Sequence, residues 1–214
     1  MDYSSINKTT YNSITESWNK TRKNYWKIVY LFLDENHEKE KLQLLDLGCG
    51  TGRHMVLAED IGFLQENIIG ADFSENNINE IYKKQMNGII MNFEKPFPFE
   101  INSFDIILFI AAFHHILDRK KQIECLQELY RVLKTDGKVL LSVWMPQKEY
   151  IAKQLSKNKI IYVTEKIVKI EYQEHERFYY FFDENEIIDI ITSNGFTISQ
   201  TLHDDGNFYL YLTK

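Results

Sequence analysis

The chain has little cysteine and little proline, two and three residues in 214. Two thiols are too few for a disulfide framework, and the prolines all fall in loop-like surroundings. No apolar run reaches the roughly 18 residues that a membrane span needs. The opening Met1-Asp2-Tyr3-Ser4-Ser5 lacks the basic and then apolar stretch of a secretion signal. No repeat or low-complexity tract occurs. Positive charge is in deficit, with 25 Lys and Arg against 31 Asp and Glu for a net −6, which excludes a surface basic throughout and leaves room for a local basic patch. What the chain does have is a core: 44% of its residues are apolar, with 14 Phe and 13 Tyr, too hydrophobic for disorder and without collagen or coiled-coil periodicity. A soluble protein of the cytosol, with the nucleus left open, is the expectation.

Ile14, Trp18, Arg22, Trp26 and Val29 recur near helical spacing, so residues 1–33 read as a helical extension. Charged residues from Asp34 to Lys41 mark a break, and residues 34–214 read as one domain. Within it short apolar runs alternate with amphipathic helices, the mark of a parallel sheet covered on both faces. The strands are placed at Leu42 to Leu47, Ile68 to Asp72, Gly88 to Phe93, Phe104 to Ile110 and Val139 to Trp144. Helices are placed from Thr51 to Ile61, from a Ser74 cap to about Met86, from Asp118 to a stop at Thr135-Asp136-Gly137, and from an Asp183 cap to Gly195. Phe196 to Leu202 and Phe208 to Thr213 are joined by only five residues, too short for a parallel crossover, so they form an antiparallel pair. The expected fold class is α/β, a doubly wound sheet of seven strands closed by an antiparallel C-terminal hairpin.

The first strand runs into Asp46-Leu47-Gly48-Cys49-Gly50-Thr51-Gly52-Arg53 and then a helix. Glycines at 48, 50 and 52 permit a tight turn and close backbone approach, while the helix start offers free N–H groups. Asp72 ends the second strand, 20 residues after Gly52, where an acid can accept hydrogen bonds from both ribose hydroxyls. The third glycine comes one residue too early for a dinucleotide loop, and arginine occupies position 53. Asp46 to Gly52 with Asp72 resembles the S-adenosylmethionine loop of class I methyltransferases, whose Rossmann-like fold also ends in an antiparallel hairpin. The resemblance implies S-adenosyl-L-methionine as cofactor and gives Asp46 the amino end of its methionine part. It places Phe73 and Ile110 against the cofactor, and Asn92 and Phe93 at the adenine, where an amide oxygen replaces the frequent aspartate.

After the fourth strand, Ile110-Ala111-Ala112-Phe113-His114-His115 differs from the Asn-Pro-Pro-Tyr type of motif that serves nitrogen methylation. Larger stretches resemble the eukaryotic tRNA methyltransferases that esterify 5-carboxymethyluridine at the anticodon wobble position. They include Tyr11-Asn12-Ser13-Ile14 with Thr21-Arg22, Gly48 to His54, Ala71-Asp72-Phe73-Ser74, and Phe113-His114-His115 with Arg119. Arg131 to Lys134, Val143-Trp144, Arg177 to Phe182 and Asp205 to Tyr209 belong to the same set. The middle of 145–176 is a gap in it, a short stretch where such enzymes can carry long insertions.

That resemblance implies methyl transfer to a carboxylate oxygen, which is ionised at neutral pH and needs no strong base. Arg22 and Arg177 are the candidates to orient the carboxylate, with His114, His115, Trp144 and Tyr179 as the wall around the uracil. Residues 1–33 would then cap the active site. One histidine of the pair is expected to be structural, and no zinc site is expected of them, since no cysteine or carboxylate cluster completes a ligand set. The implied partners are a tRNA anticodon loop and a small zinc-binding activator subunit. The activator would cover an apolar edge strand, Gly88 to Phe93, through Ile89, Ile90, Met91 and Phe93. Six lysines between Lys148 and Lys169 against Glu149 and Glu165, and Lys8, Lys20, Arg22, Lys23 and Lys27 near the start, are candidate phosphate contacts. Two other readings stay open at this point: a small-molecule methyltransferase, and a noncatalytic scaffold that keeps the fold.

Overall fold

The computed structural model describes residues 2–21, 24–172 and 174–214. Its main sheet is built around β1 (Leu44–Leu47), whose four residues are all buried, as expected of a strand covered on both faces. β2 (Ile68–Asp72), β3 (Asn87–Ile90), β4 (Phe104–Ile110) and β5 (Leu133–Trp144) run parallel to it, while β9 (Thr197–Asp204) and β10 (Asn207–Thr213) form the closing hairpin. The seven strands lie in the order β3-β2-β1-β4-β5-β10-β9. The chain therefore leaves β1 toward one side and returns to its other side with β4, which opens a crevice at the carboxyl ends of these two strands.

β4 shows how the sequence divides the core. Ile106, Leu108 and Ile110 pack with α2 (Lys27–Asp34), α3 (Arg53–Asp60) and α4 (Glu75–Lys83). Ile107 and Phe109 pack on the other face with α5 (Arg119–Val132) and α7 (Glu184–Ser193). Strand residues alternate between faces, so one apolar run serves both layers. The caps act as read: the side chains of Ser74, Asp118 and Asp183 accept from Asn77, Lys121 and Glu186 N–H respectively.

Several boundaries differ from the expectation. The N-terminal extension is two helices, α1 (Tyr3–Thr21) and α2, because Trp26 takes an extended backbone at the start of α2. The α5 helix ends at Val132, short of Thr135-Asp136-Gly137. Asn102 and Ser103 N–H take the carbonyls of Arg131 and Val132, and Leu133 turns extended to pair with Phe104. Residues 134–137 then bulge within the entry to β5, with Asp136 at φ 64°. β3 is the sheet edge, as expected, yet it ends at Ile90. Ile90 is 50% exposed, but Met91 and Phe93 turn into the core at 6% and 5%, so the apolar edge reduces to Ile89 and Ile90.

The stretch left as a gap holds a second unit. After β5 come α6 (Lys148–Leu155) and an antiparallel three-stranded sheet of β6 (Ile160–Tyr162), β7 (Ile167–Tyr172) and β8 (His175–Tyr180). Its small core of Ile160, Val168 and Tyr179 packs against Trp144, Ile151, Leu155 and Phe181, which seats it over the end of β5. Among the described residues no helix is long and apolar enough to cross a membrane.

Candidate active site

The turn after β1 forms one side of a crevice of about 530 Å³. Gly48, Gly50 and Gly52 take φ of 73°, 55° and 82°, in the left-handed region that suits glycine. At Gly48 space also decides: a Cβ there would lie 2.4 Å from Ala112 Cβ. At Gly50 a Cβ would meet nothing within 4 Å, so that face of the turn is open. Gly52 stands off the crevice wall, as the residue that starts α3.

Two acids flank the turn. Asp72 accepts from Gly50 N–H at 2.9 Å, Ser74 N–H at 2.8 Å and Asn77 Nδ2 at 3.3 Å. Burial still raises its pKa above the usual carboxylate range, against the pull of those donors. Asp46 is 1% exposed, and its Oδ2 has no partner among the described residues. Burial pushes its pKa up to about 7, with Arg53 pulling the other way. A buried carboxylate oxygen without a donor suits a cationic group brought by a ligand. Phe73, Phe93, Ile110, Ala111 and Ala112 supply an apolar wall beside it. Ala111 holds a left-handed φ of 51° at the end of β4, where Ser142 Oγ accepts its N–H at 2.9 Å.

The opposite wall comes from α1, β5 and β8. His114 and His115 are both buried, and their partners assign their tautomers. Trp144 N–H donates to His114 Nδ1 at 3.0 Å, which puts that ring's proton on Nε2. His115 Nδ1 lies 2.9 Å from Phe178 O and so carries the proton, leaving Nε2 to accept from Tyr11 Oη at 2.8 Å. Burial holds His115 down at about 4 and His114 well below its ordinary value, so both rings are neutral at pH 7. His115 is thus the structural member of the pair, with both nitrogens engaged.

Tyr179 stacks on His114 at 5.0 Å and stands 5.3 Å from Trp144. Arg177, 8% exposed, lies within a ring of aromatics, 5.0 Å from Trp18, 5.1 Å from Tyr172 and 5.6 Å from Tyr179. Burial works against its charge, but Tyr179 and Tyr11 outweigh that and hold its pKa above the ordinary value. Its Nε is buried without a partner among the described residues.

Of the residues singled out in the sequence, Gly48, Gly50, Asp72, Phe73, Phe93, Ile110, His114, His115, Trp144, Arg177 and Tyr179 line this one crevice. Asp46 is buried beside the turn. Asn92 is not on the wall: its Oδ1 accepts from Glu94 N–H at 2.9 Å. Arg22 lies outside the described residues. Sequence reasoning missed Tyr11 as a wall residue, as well as Trp18 and Trp26, which it had placed only in a helical stripe. Tyr11 and Trp18, seven positions apart on α1, share one helix face and pack edge to face at 5.8 Å; that spacing was the available signal.

The family profile described as "Methyltransferase domain" matches residues 45–141, from β1 through the glycine turn to β5. Residues 45–141 are a methyltransferase domain, and the chain has the class I S-adenosylmethionine-dependent methyltransferase fold. The glycine turn, the Asp72 carboxylate and the unpartnered Asp46 oxygen fit S-adenosylmethionine as its cofactor. The chain is 25% identical over 207 residues to a candidate methyltransferase of Encephalitozoon cuniculi, covering 95% of this chain and 93% of that one. It is 22% identical to the tRNA (carboxymethyluridine(34)-5-O)-methyltransferase of Schizosaccharomyces pombe, over 95% and 94% of the two chains. Its similarity to the mouse enzyme of that name, ALKBH8, is 29% over 65% of this chain, which spans only 20% of the mouse protein. A chain in the complex of the Haloferax volcanii Trm112 methyltransferase activator with a candidate methyltransferase shares the fold, with a TM-score of 0.73, 14% identity and coverage of 97% and 96%.

Proposed function

We propose that this methyltransferase esterifies the carboxylate of 5-carboxymethyluridine at the wobble position of tRNA, working with a small activator subunit. The observation that carries the reading is Arg177: a buried guanidinium in an aromatic ring of side chains, with an unpartnered Nε, on the crevice wall. No ion pair of Arg177 with a carboxylate is formed among the described residues. Such a cation calls for an anion from outside, and a planar guanidinium orients a carboxylate by paired hydrogen bonds.

S-adenosylmethionine, when bound, supplies a methyl group on a sulfonium. Asp46 holds the amino end of its methionine part, and Asp72 the ribose hydroxyls. Arg177 keeps the substrate acid ionised in a dry site that would otherwise raise its pKa. His114, Tyr179 and Trp144 form the flat wall for the uracil, and Tyr11 and Trp18 of α1 cap the site and exclude water. Burial makes His114 and His115 weak bases, which suits a reaction that needs no general base. Similarity to the fission yeast and mouse enzymes supports the substrate. The Haloferax complex supports the activator, which the edge strand β3 would receive at Ile89 and Ile90.

The test is incubation with S-adenosylmethionine and tRNA bearing unesterified carboxymethyluridine, with and without a Trm112-type activator. Mass spectrometry should find the methyl ester on the wobble nucleoside. Methylation of a ring nitrogen or a ribose oxygen instead would overturn the reading.

A further inference from the structure

The unit formed by α6, β6, β7 and β8 lies outside the seven-stranded sheet, yet its α6 and the start of β6 supply Tyr150, Gln154, Lys159 and Ile160 to the rim of the crevice. Its lysines divide into two groups. Lys166 is paired with Asp183 and Glu186, and Lys169 with Glu176 and Glu171. Lys148, Lys153, Lys157 and Lys159 are exposed and form no ion pair among the described residues. In a chain of net charge −6, these four lysines against Glu149 are a local excess of positive charge on α6 and the turn into β6, with Lys159 reaching the crevice.

Aromatic surface accompanies it. Tyr150 and Tyr162 are 47% and 46% exposed, beside Ile161 at 39% and Val163 at 42%. Tyr150 also meets Trp144 edge to face at 6.3 Å, so exposed rings lead from the surface to the crevice wall. The helix that carries Tyr150 has no fully buried residue and borders an apolar cavity of about 360 Å³ lined by Ile151, Leu155 and Phe181. Lysines track phosphates, and exposed aromatic faces stack unpaired bases. The combination selects single-stranded nucleic acid over duplex, whose bases are already stacked.

We propose that α6 and β6 dock the single-stranded RNA on either side of the nucleotide that enters the crevice. Lysines 153, 157 and 159 hold phosphates and Tyr150 stacks a neighbouring base. This rests on the tRNA reading above and adds where the RNA lies.

The experiment measures binding of a fluorescent anticodon stem-loop RNA to the full chain across a salt series, with S-adenosylhomocysteine present. Changing Lys153, Lys157 and Lys159 together to Ala should reduce the slope of log affinity against log salt by about 2, at roughly 0.7 per phosphate contact on single strands. Tyr150→Ala should weaken binding roughly tenfold with the slope unchanged. Both variants should bind S-adenosylhomocysteine like the parent, which shows that they fold. A control with Lys39, Lys83 and Lys120 changed to Ala should leave the slope intact. An unchanged slope in the first variant, an equal loss in the control, or equal competition by duplex RNA would each overturn the proposal. Methylation of free carboxymethyluridine reports on the reaction alone. RNA binding that depends on the three lysines, without any methyl ester, would sink the reaction and leave the docking surface. Ester formation with RNA binding indifferent to them would do the reverse.

Discussion

Tyr11 Oη donates to Nε2 of His115 at 2.8 Å, across 104 positions of sequence. This bond ties α1 to the wall of the crevice and uses the last free nitrogen of a buried, neutral ring. Asn7 adds to the clamp: its Oδ1 accepts from Phe178 N–H at 2.8 Å and its Nδ2 donates to Phe178 O at 3.0 Å. Farther along α1, Asn12 Oδ1 accepts from Ser74 Oγ at 2.7 Å, and Thr51 Oγ1 donates to Asn19 Oδ1 at 3.0 Å. One helix thus holds both the cofactor side and the aromatic side.

Tyr11→Phe should leave His115 Nε2 buried without a donor. The expected cost is about 1–3 kcal/mol of unfolding free energy, read by urea denaturation, with faster amide exchange concentrated in α1. An unchanged midpoint would show that the ring finds another donor.

Asp46 gives a pH signature. Its pKa in the folded protein, about 7, lies above the 3.8 of an ordinary aspartate, so the native state retains a proton that the unfolded chain releases. Its contribution to stability is therefore full below about pH 4 and is lost as pH rises to about 7. A bound cation reverses the demand, because it requires the carboxylate. Affinity for S-adenosylhomocysteine should climb by up to tenfold per pH unit below about 7 and then level off. Calorimetry in buffers of different ionisation enthalpy should show protons released on binding. Asp46→Asn should abolish that release, weaken binding and raise the stability of the ligand-free protein above pH 7.

The glycine turn offers a paired test. Gly48→Ala would bring Cβ against Ala112 Cβ at 2.4 Å, in addition to the strain of a positive φ, whereas the same change at Gly50 points into open space. Gly48→Ala should cost several kcal/mol and compromise folding. Gly50→Ala should cost about 1 kcal/mol, the strain alone, and lose cofactor affinity. Thermal unfolding separates the two, and equal losses would refute the geometric distinction.

Arg177→Lys keeps the charge but loses the planar fork and its stacking on Trp18 and Tyr172. Turnover of a carboxylate substrate should fall on the order of 10–100-fold, with cofactor affinity unchanged by calorimetry. Full activity in this variant would remove Arg177 from the site.

The sequence by itself determined the doubly wound sheet, its hairpin finish and the cofactor turn. Each of these is a local pattern: apolar runs set strands, Ser74, Asp118 and Asp183 cap helices through neighbouring N–H groups, and glycines mark the left-handed turn. The stop of α5 was not legible, because it depends on Asn102 and Ser103 capturing its last carbonyls from another part of the chain. The small sheet was harder to see, although Val168 and Ile170 alternate with Lys169 and Glu171, since β6 spans only three residues and β8 opens on the polar run His175-Glu176-Arg177. Only the tertiary structure decided that Tyr11 and Trp18 join His115 and Arg177 around one crevice. Contacts between residues a hundred or more positions apart depend on how helices and sheets pack, and no local periodicity encodes that distance.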